Sequence, residues 1–212
     1  ANGDDSGTTT FRRTNPIAGL LYRASPTLHL YANYGKGFET PTLTELAYRP
    51  DGSSGLNFAL KPAVSDSYEA GAKALIGGAT RLNAAVFAID TRDEIVPATN
   101  QGGRTTFQNA GRIRRRGAEV GVESALTDTV GIYAAYTYLA AEFDAEFTYQ
   151  PTATTTVTVP AGNRLPGVPR ATLYGELSWR KGQPGWSVAF EGRYASRVFV
   201  DDRNSDAAAA YA

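Results

Sequence analysis

Apolar and polar residues alternate with period two along most of this chain. From Tyr68, the apolar set Tyr68, Ala70, Ala72 and Ala74 interleaves with Glu69, Gly71 and Lys73, and from Ala118 the set Ala118, Val120 and Val122 interleaves with Glu119, Gly121 and Glu123. Further on, Leu173, Gly175, Leu177 and Trp179 alternate with Tyr174, Glu176, Ser178 and Arg180. After the next turn Trp186, Val188, Phe190, Gly192 and Tyr194 oppose Ser187, Ala189, Glu191 and Arg193. Successive side chains of a strand point to opposite faces, so the pattern predicts strands with one oily and one polar side. A helix would require apolar recurrences at three and four residues, and the same segments are rich in Gly, Tyr and Val. The expected fold class is all-β.

The predicted connections alternate in length. Short turns fall near Ser25 to Thr27, Gly77 to Ala79, Thr127 to Thr129 and Lys181 to Gly185. Long polar connections fall near Pro41 to Val64, Arg92 to Thr106, Asp144 to Val168 and Asp201 to Ala207. Tight turns at one rim and long loops at the other define an antiparallel up-and-down meander of about eight strands, the arrangement of a section of a transmembrane β-barrel. Each strand has room for the ~9 to 11 residues of a tilted spanning strand. Trp179 and Trp186 bracket one short turn, as an aromatic girdle at that rim requires. Tyr34, Phe38, Tyr136, Tyr138 and Phe143 are placed for a girdle at the other.

Composition narrows the function. The chain of 212 residues has no cysteine, no methionine and one histidine, which removes thiol catalysis, disulfide scaffolds and Cys/His zinc sites. Lys plus Arg and Asp plus Glu both total 21, so a nucleic-acid partner with its basic docking face is not expected. No apolar run approaches the ~20 residues of a spanning helix, so residence in a membrane must be as a barrel. The mean hydropathy of -0.30 suits strands that average an oily and a watery face. Lacking methionine and any signal segment, the sequence is expected to be a processed protein or an excised piece.

Particular segments carry a family resemblance. LHLYANYGKGFETPTLTELAY, from Leu28, is similar to the TonB-dependent receptor pattern of a Tyr-rich strand, a Gly-Phe stretch, Pro-Thr and Glu-Leu. LKPAVSDSYEAGAKA, LNAAVFAIDTRDEIV, RIRRRGAEVGVES, VGIYAAYTYLAAEF and AGNRLPGVPRATLYGELSW resemble the strands that follow, in the family's order, from about Asn15 to Phe199. The resemblance implies that residues 1–212 are a C-terminal part of a barrel of about 22 strands. Its plug domain, TonB box and final strands are absent from this sequence. It further implies an outer-membrane receptor that imports a scarce nutrient, such as a ferric siderophore, with plug, TonB and membrane lipid as partners and without enzymatic chemistry or a resident cofactor. The segment DTRDEIVPATNQGGRTTFQNAG resembles a subgroup whose expected substrates extend to small cofactors such as a redox quinone.

On this resemblance, Tyr48, Arg49, Phe58, Arg104, Phe107, Tyr149 and Arg164 lie in the loops where the family captures its ligand, and rings with guanidinium groups suit a flat anionic chelate. Arg112, Arg114, Arg115 and Arg116 in GRIRRRG could attract an anion. The plainer expectation is that they face the lumen and pair with Glu119 or plug carboxylates, or meet lipopolysaccharide phosphates outside. His29 is expected to be a lumen-facing polar residue, and no metal site or Ser, His and acid triad is expected. TRDE and FDAEF lack the ligand spacing of a calcium loop and the cleft of a glycosidase. The alternative architecture is a secreted or periplasmic binding or adhesion module, with the same alternation burying one sheet against another.

Overall fold

The computed structural model describes residues 6–182 and 185–212. In chain order its strands are β1 (Ile17–Ser25), β2 (Leu28–Glu39), β3 (Ala63–Ile76), β4 (Thr80–Arg92), β5 (Ile95–Gln101), β6 (Arg104–Asn109) and β7 (Arg112–Ala125). They continue with β8 (Val130–Phe143), β9 (Phe147–Thr152), β10 (Thr155–Val159), β11 (Ala171–Arg180), β12 (Ser187–Ala195), β13 (Val198–Phe199) and β14 (Ala207–Ala208). One helical turn, α1 (Leu43–Leu46), precedes β3.

Eight of the strands form one antiparallel meander in the order β1, β2, β3, β4, β7, β8, β11, β12. The sheet does not close, because β1 and β12 each have a partner on one side only. Cross-strand register makes the faces continuous. One row runs Tyr22, Leu30, Ala72, Ala84, Val120, Tyr136, Leu173 and Tyr194, and the next runs Arg23, His29, Lys73, Asn83, Gly121, Ala135, Tyr174 and Arg193. In every strand but β8, a slip of one residue would put a charged or titratable side chain into the oily row, so alternation itself locks the register.

Among the short turns, β3 to β4 shows why the sequence carries two glycines there. Gly77 and Gly78 have φ of 57° and 74°, and the Ala79 N–H donates to the Ile76 carbonyl at 3.3 Å. Two successive positive φ values give a turn whose twist matches the flanking strands, a geometry that side chains with a Cβ resist. Of the Lys181 to Gly185 turn, residues 183 and 184 lie outside the described residues. Trp179 and Trp186 flank it on the apolar side.

Three expectations change. The long connections are not structureless: β5 with β6, and β9 with β10, are hairpins that join as a second sheet in the order β10, β9, β5, β6. The connection predicted at Arg92 to Thr106 instead runs over residues 93–111, its β5 to β6 hairpin closed by Gly102 and Gly103 at φ of 58° and 76°. Phe143 does not belong to an outer girdle. It pairs with Ile113 in the polar-side parity and is 3% exposed in a cluster with Val96, Ala110, Ile113 and Val159, onto which Phe147, Tyr149 and Leu165 pack. This core lies where the hairpins fold over the upper ends of β7 and β8. Tyr34, Tyr136 and Tyr138 do stand on the apolar side, with the Tyr34 ring tilted against that of Tyr68 at a centroid distance of 5.1 Å. Finally, the alternative of two sheets stacked on their oily rows is not adopted: Phe190 is 72% and Trp186 80% exposed.

Candidate ligand-binding loops

Fourteen residues, the length of β3, β7 and β8, extend ~46 Å at ~3.3 Å per residue. Even tilted, such a strand outreaches the ~30 Å hydrocarbon layer of a bilayer, so its upper end and the loops beyond stand in water. That upper end holds the side chains with chemical character.

The connection from β2 to β3 begins with a locally encoded stop. Thr42 caps α1: its Oγ1 accepts the Glu45 N–H at 3.3 Å, while the Glu45 carboxylate accepts the Thr42 N–H at 2.7 Å. This capping box turns the chain sharply and buries Leu46. The Asn57 N–H then donates to the Leu46 carbonyl at 2.7 Å, and the buried Asn57 side chain donates to the Phe107 carbonyl at 3.4 Å. Asn109 completes the clasp. Its amide donates to the Lys61 and Asp93 carbonyls at 2.8 and 2.7 Å, and its Oδ1 accepts the Lys61 N–H at 2.9 Å. Sequence reading nominated neither Asn57 nor Asn109, since a single amide in a loop carries no pattern.

The clasp gathers four of the seven nominated residues. Arg104 lies over the Tyr48 ring at 5.3 Å, Phe107 follows on the same strand, and Phe58 lies one residue beyond Asn57. The Phe58 ring is pressed against Gly7, where a Cβ would collide with it. Arg49 is exposed beside them and pairs with Asp51 at 3.7 Å. Hydrogen bonds from Ser53 first, and Arg49 among the weaker causes, hold the Asp51 carboxyl below its ordinary pKa. Below this group the polar face of β2, β3 and β4 opens a cavity of about 410 Å³, lined by Ser65, Ser67, Thr91, Glu94 and Arg115 among others.

The other two stand apart. Tyr149 packs on Phe147, which packs on Phe143, and burial raises the Tyr149 hydroxyl pKa. Gln108 joins the two hairpins by donating to the Thr148 carbonyl at 2.6 Å. Arg164 forms a β-bridge with Glu142, and its guanidinium lies over the Phe199 ring at 5.2 Å. Asn204, at φ 57°, fastens this segment by accepting the Arg164 N–H at 2.7 Å and donating to the Arg164 carbonyl at 2.8 Å.

The arginines of GRIRRRG divide by parity. Arg115 alone takes the polar side, where it donates to Thr91 Oγ1 at 3.0 Å and meets Glu94 at 3.5 Å. Arg112, Arg114 and Arg116 share the parity of Ala118 and Val120 and so stand on the apolar side. There Arg116 pairs with Asp90 at 3.1 Å and Arg112 with Asp144 at 3.4 Å. The expectation of lumen-facing arginines paired with Glu119 therefore fails for these three. Glu119 sits between Ala85 and Thr137 in the polar face. Counting back in twos from Ala118 would have revealed this from the sequence. His29 lies between Arg23 and Lys73 on the polar face.

Comparison with known proteins agrees with this architecture. The metal-pseudopaline receptor CntO of Pseudomonas aeruginosa (strain UCBPP-PA14) is 29% identical over 182 residues, covering 84% of this chain and 23% of the receptor. The chain thus spans about a quarter of the length of the curated relatives it matches. Among solved structures, the siderophore receptor PiuA from Acinetobacter baumannii superposes with a TM-score of 0.70 at 20% identity, over 92% of this chain and 28% of that one. The copper transporter OprC does so with a TM-score of 0.69 at 17% identity, over 92% and 29%. Residues 1–212 match throughout the family described as TonB dependent receptor-like, beta-barrel. With an open antiparallel meander, an oily outer row and long loops at one rim, the chain belongs to the TonB-dependent receptor β-barrel family, whose barrels lie in the outer membrane of Gram-negative bacteria.

Proposed function

We propose that this chain is the ligand-facing part of a receptor that imports a scarce metal chelate or similar small cofactor in a TonB-dependent way, working with a plug domain, and that it performs no covalent chemistry. The supporting observation is the clasped group of Tyr48, Phe58, Arg104 and Phe107 above the polar cavity at the upper rim. Aromatic rings, one of them under a guanidinium, offer flat, cation-edged surface, which suits an aromatic or carboxylate-rich chelate. Arg49 extends that surface. Tyr149, locked against the loop core, and Arg164, on the apolar side, are not assigned to the ligand in this reading. The relative named as a metal-pseudopaline receptor and the neighbours named as a siderophore receptor and a copper transporter support metal chelates as the first class to test, ahead of a redox quinone.

The test is uptake of metal-loaded chelates by cells that depend on the full-length receptor. Arg104→Ala together with Tyr48→Ala should reduce uptake at limiting chelate at least tenfold while leaving the amount of receptor in the outer membrane unchanged. Undiminished uptake of every chelate by the variant would remove the proposed contact group.

A further inference from the structure

The second sheet has two outer edges, and the chain treats them differently. On the β6 side the edge is covered. The Asn57 amide donates to the Phe107 carbonyl at 3.4 Å, while Asn109 accepts the Lys61 N–H at 2.9 Å and donates to the Lys61 carbonyl at 2.8 Å. The β10 side has no such cover. β9 is its one partner strand, and among the described residues no other element hydrogen-bonds to Thr155–Val159.

Burial shows which groups this edge offers. Successive residues of an antiparallel strand turn their N–H and C=O alternately toward the partner strand and away from it. Val159 is fully buried, and its buried backbone groups need partners, which β9 alone supplies. Val159, opposite Phe147, and Val157, opposite Tyr149, therefore bond to β9. Thr156 and Thr158, both exposed, turn their backbone groups outward. Open edges are commonly blocked by charged side chains or a proline, and Thr155–Val159 has neither. From Thr154 to Val159 all six residues are β-branched, and residues 147–163 carry no charge in a chain where 20% of residues are charged. Such a segment is strongly disposed to pair.

We propose that β10 is a homotypic docking edge, on which the same strand of a second copy of this chain pairs antiparallel across a two-fold axis at Val157. Two four-stranded sheets then become one. A two-fold axis brings each surface against itself, so a self-pairing edge has to be free of uncompensated charge. The β10 edge meets that condition. The axis sets Thr156 of one copy opposite Thr158 of the other, the same residues whose backbone groups point outward, and each such pair exchanges both of its hydrogen bonds. The contact is small, which suits receptors already concentrated in one membrane. It is independent of which ligand the loops capture, because Arg104 and Phe107 lie on β6, at the far edge of the sheet.

The test uses the full-length receptor in outer membranes. T156C and T158C receptors carrying different tags, co-expressed and oxidised, should cross-link to each other at least tenfold more than either does to itself, because only the mixed pair comes into register. No cross-link, or equal cross-linking of like and unlike pairs, would overturn the proposal. T156K with T158K should lower co-purification of two differently tagged receptors at least fivefold, with the heat-resistant barrel band on gels unchanged. Undiminished co-purification of the folded variant would count against a β10 contact. Hydrogen exchange in detergent distinguishes a second copy from a further segment of the same receptor. Protection of the Thr156 and Thr158 amides should fade as the receptor is diluted, and protection that dilution leaves intact would mean that the receptor covers its own edge, which also overturns the proposal.

Discussion

The lower meander and the upper rim of this chain are stabilised in opposite ways. Between the short turns and the tyrosines, the meander buries almost nothing against protein: Val86 is 59% and Phe190 72% exposed. What holds it together is the hydrogen-bond ladder of eight strands and the transfer of one face into lipid. At the rim the chain makes a conventional core, with Val159 fully buried and Ile113 and Phe143 nearly so, fastened by side-chain amides from Asn57, Asn109 and Asn204. The lesson is that exposure has two meanings within one chain. An exposed Val in the meander is in its intended solvent, whereas an exposed loop residue at the rim is in water.

That contrast can be broken or sharpened by substitution. The largest expected effect is at the rim, where Phe143→Ala should cost about 3–5 kcal/mol by leaving a cavity among Val96, Ile113 and Val159. Because the cavity is in the loop core, hydrogen exchange should quicken in β5, β6, β9 and β10 while the meander keeps its protection. Quickening spread evenly over both regions would show that they are one cooperative unit. Next comes Val86→Arg on the oily row, which should destabilise the folded receptor in bilayers by about 2–4 kcal/mol, although in an aqueous protein so exposed a position would tolerate it. Its neighbour Ala85, on the polar face, should accept Arg at little cost. Equal effects at residues 85 and 86 would contradict the assignment of faces.

The smallest effect is a pH dependence confined to the rim. The Asp201 carboxylate accepts the Ser205 hydroxyl at 2.7 Å and the Ser205 and Asp206 N–H groups at 2.9 and 3.1 Å. The Ser205 hydroxyl foremost, with these N–H groups, lowers its pKa. A lowered carboxyl contributes stability that is fully present above the ordinary carboxylate pKa, about 4, and is lost as pH falls through the folded value. Amide protection of Ser205 and Asp206 should therefore fall only below about pH 4, and Asp201→Asn should abolish that dependence. Asp202 runs the other way: burial, then Asp201, raises its pKa. Its contribution is therefore lost as pH rises, and loosening on raising rather than lowering the pH would point to Asp202 as the controlling group.

Much of this is legible in the sequence alone. The rows through Leu173 and Val188 gave their strands because period two is a local property: each residue's face follows from its neighbours'. The Gly77-Gly78 turn was equally legible. The β5 to β6 hairpin was legible and missed. Gly102 and Gly103 between TNQ and RTT carry the same turn signature, but the polar threonines around them read as loop. For β9 and β10 the turn residues Ala153 and Thr154 carry no such signature, and only Val157 and Val159 hint at a buried side. Of the nominated ligand residues, Tyr48, Phe58, Arg104 and Phe107 come together, but nothing in their spacing says so. They are joined by Asn57 and Asn109 across about 50 residues of chain.

By itself, then, the sequence determined the alternation, the register it enforces, the short turns and the side on which each strand residue stands, including the outward parity of Arg112, Arg114 and Arg116. Only the tertiary structure decided which loops become a second sheet, that Phe143 is core rather than girdle, and which cations lack a counter-charge among the described residues. The physical reason is range. A face is set by the residue before and after, whereas a core or an uncompensated charge is set by everything within a few ångströms, most of it distant along the chain.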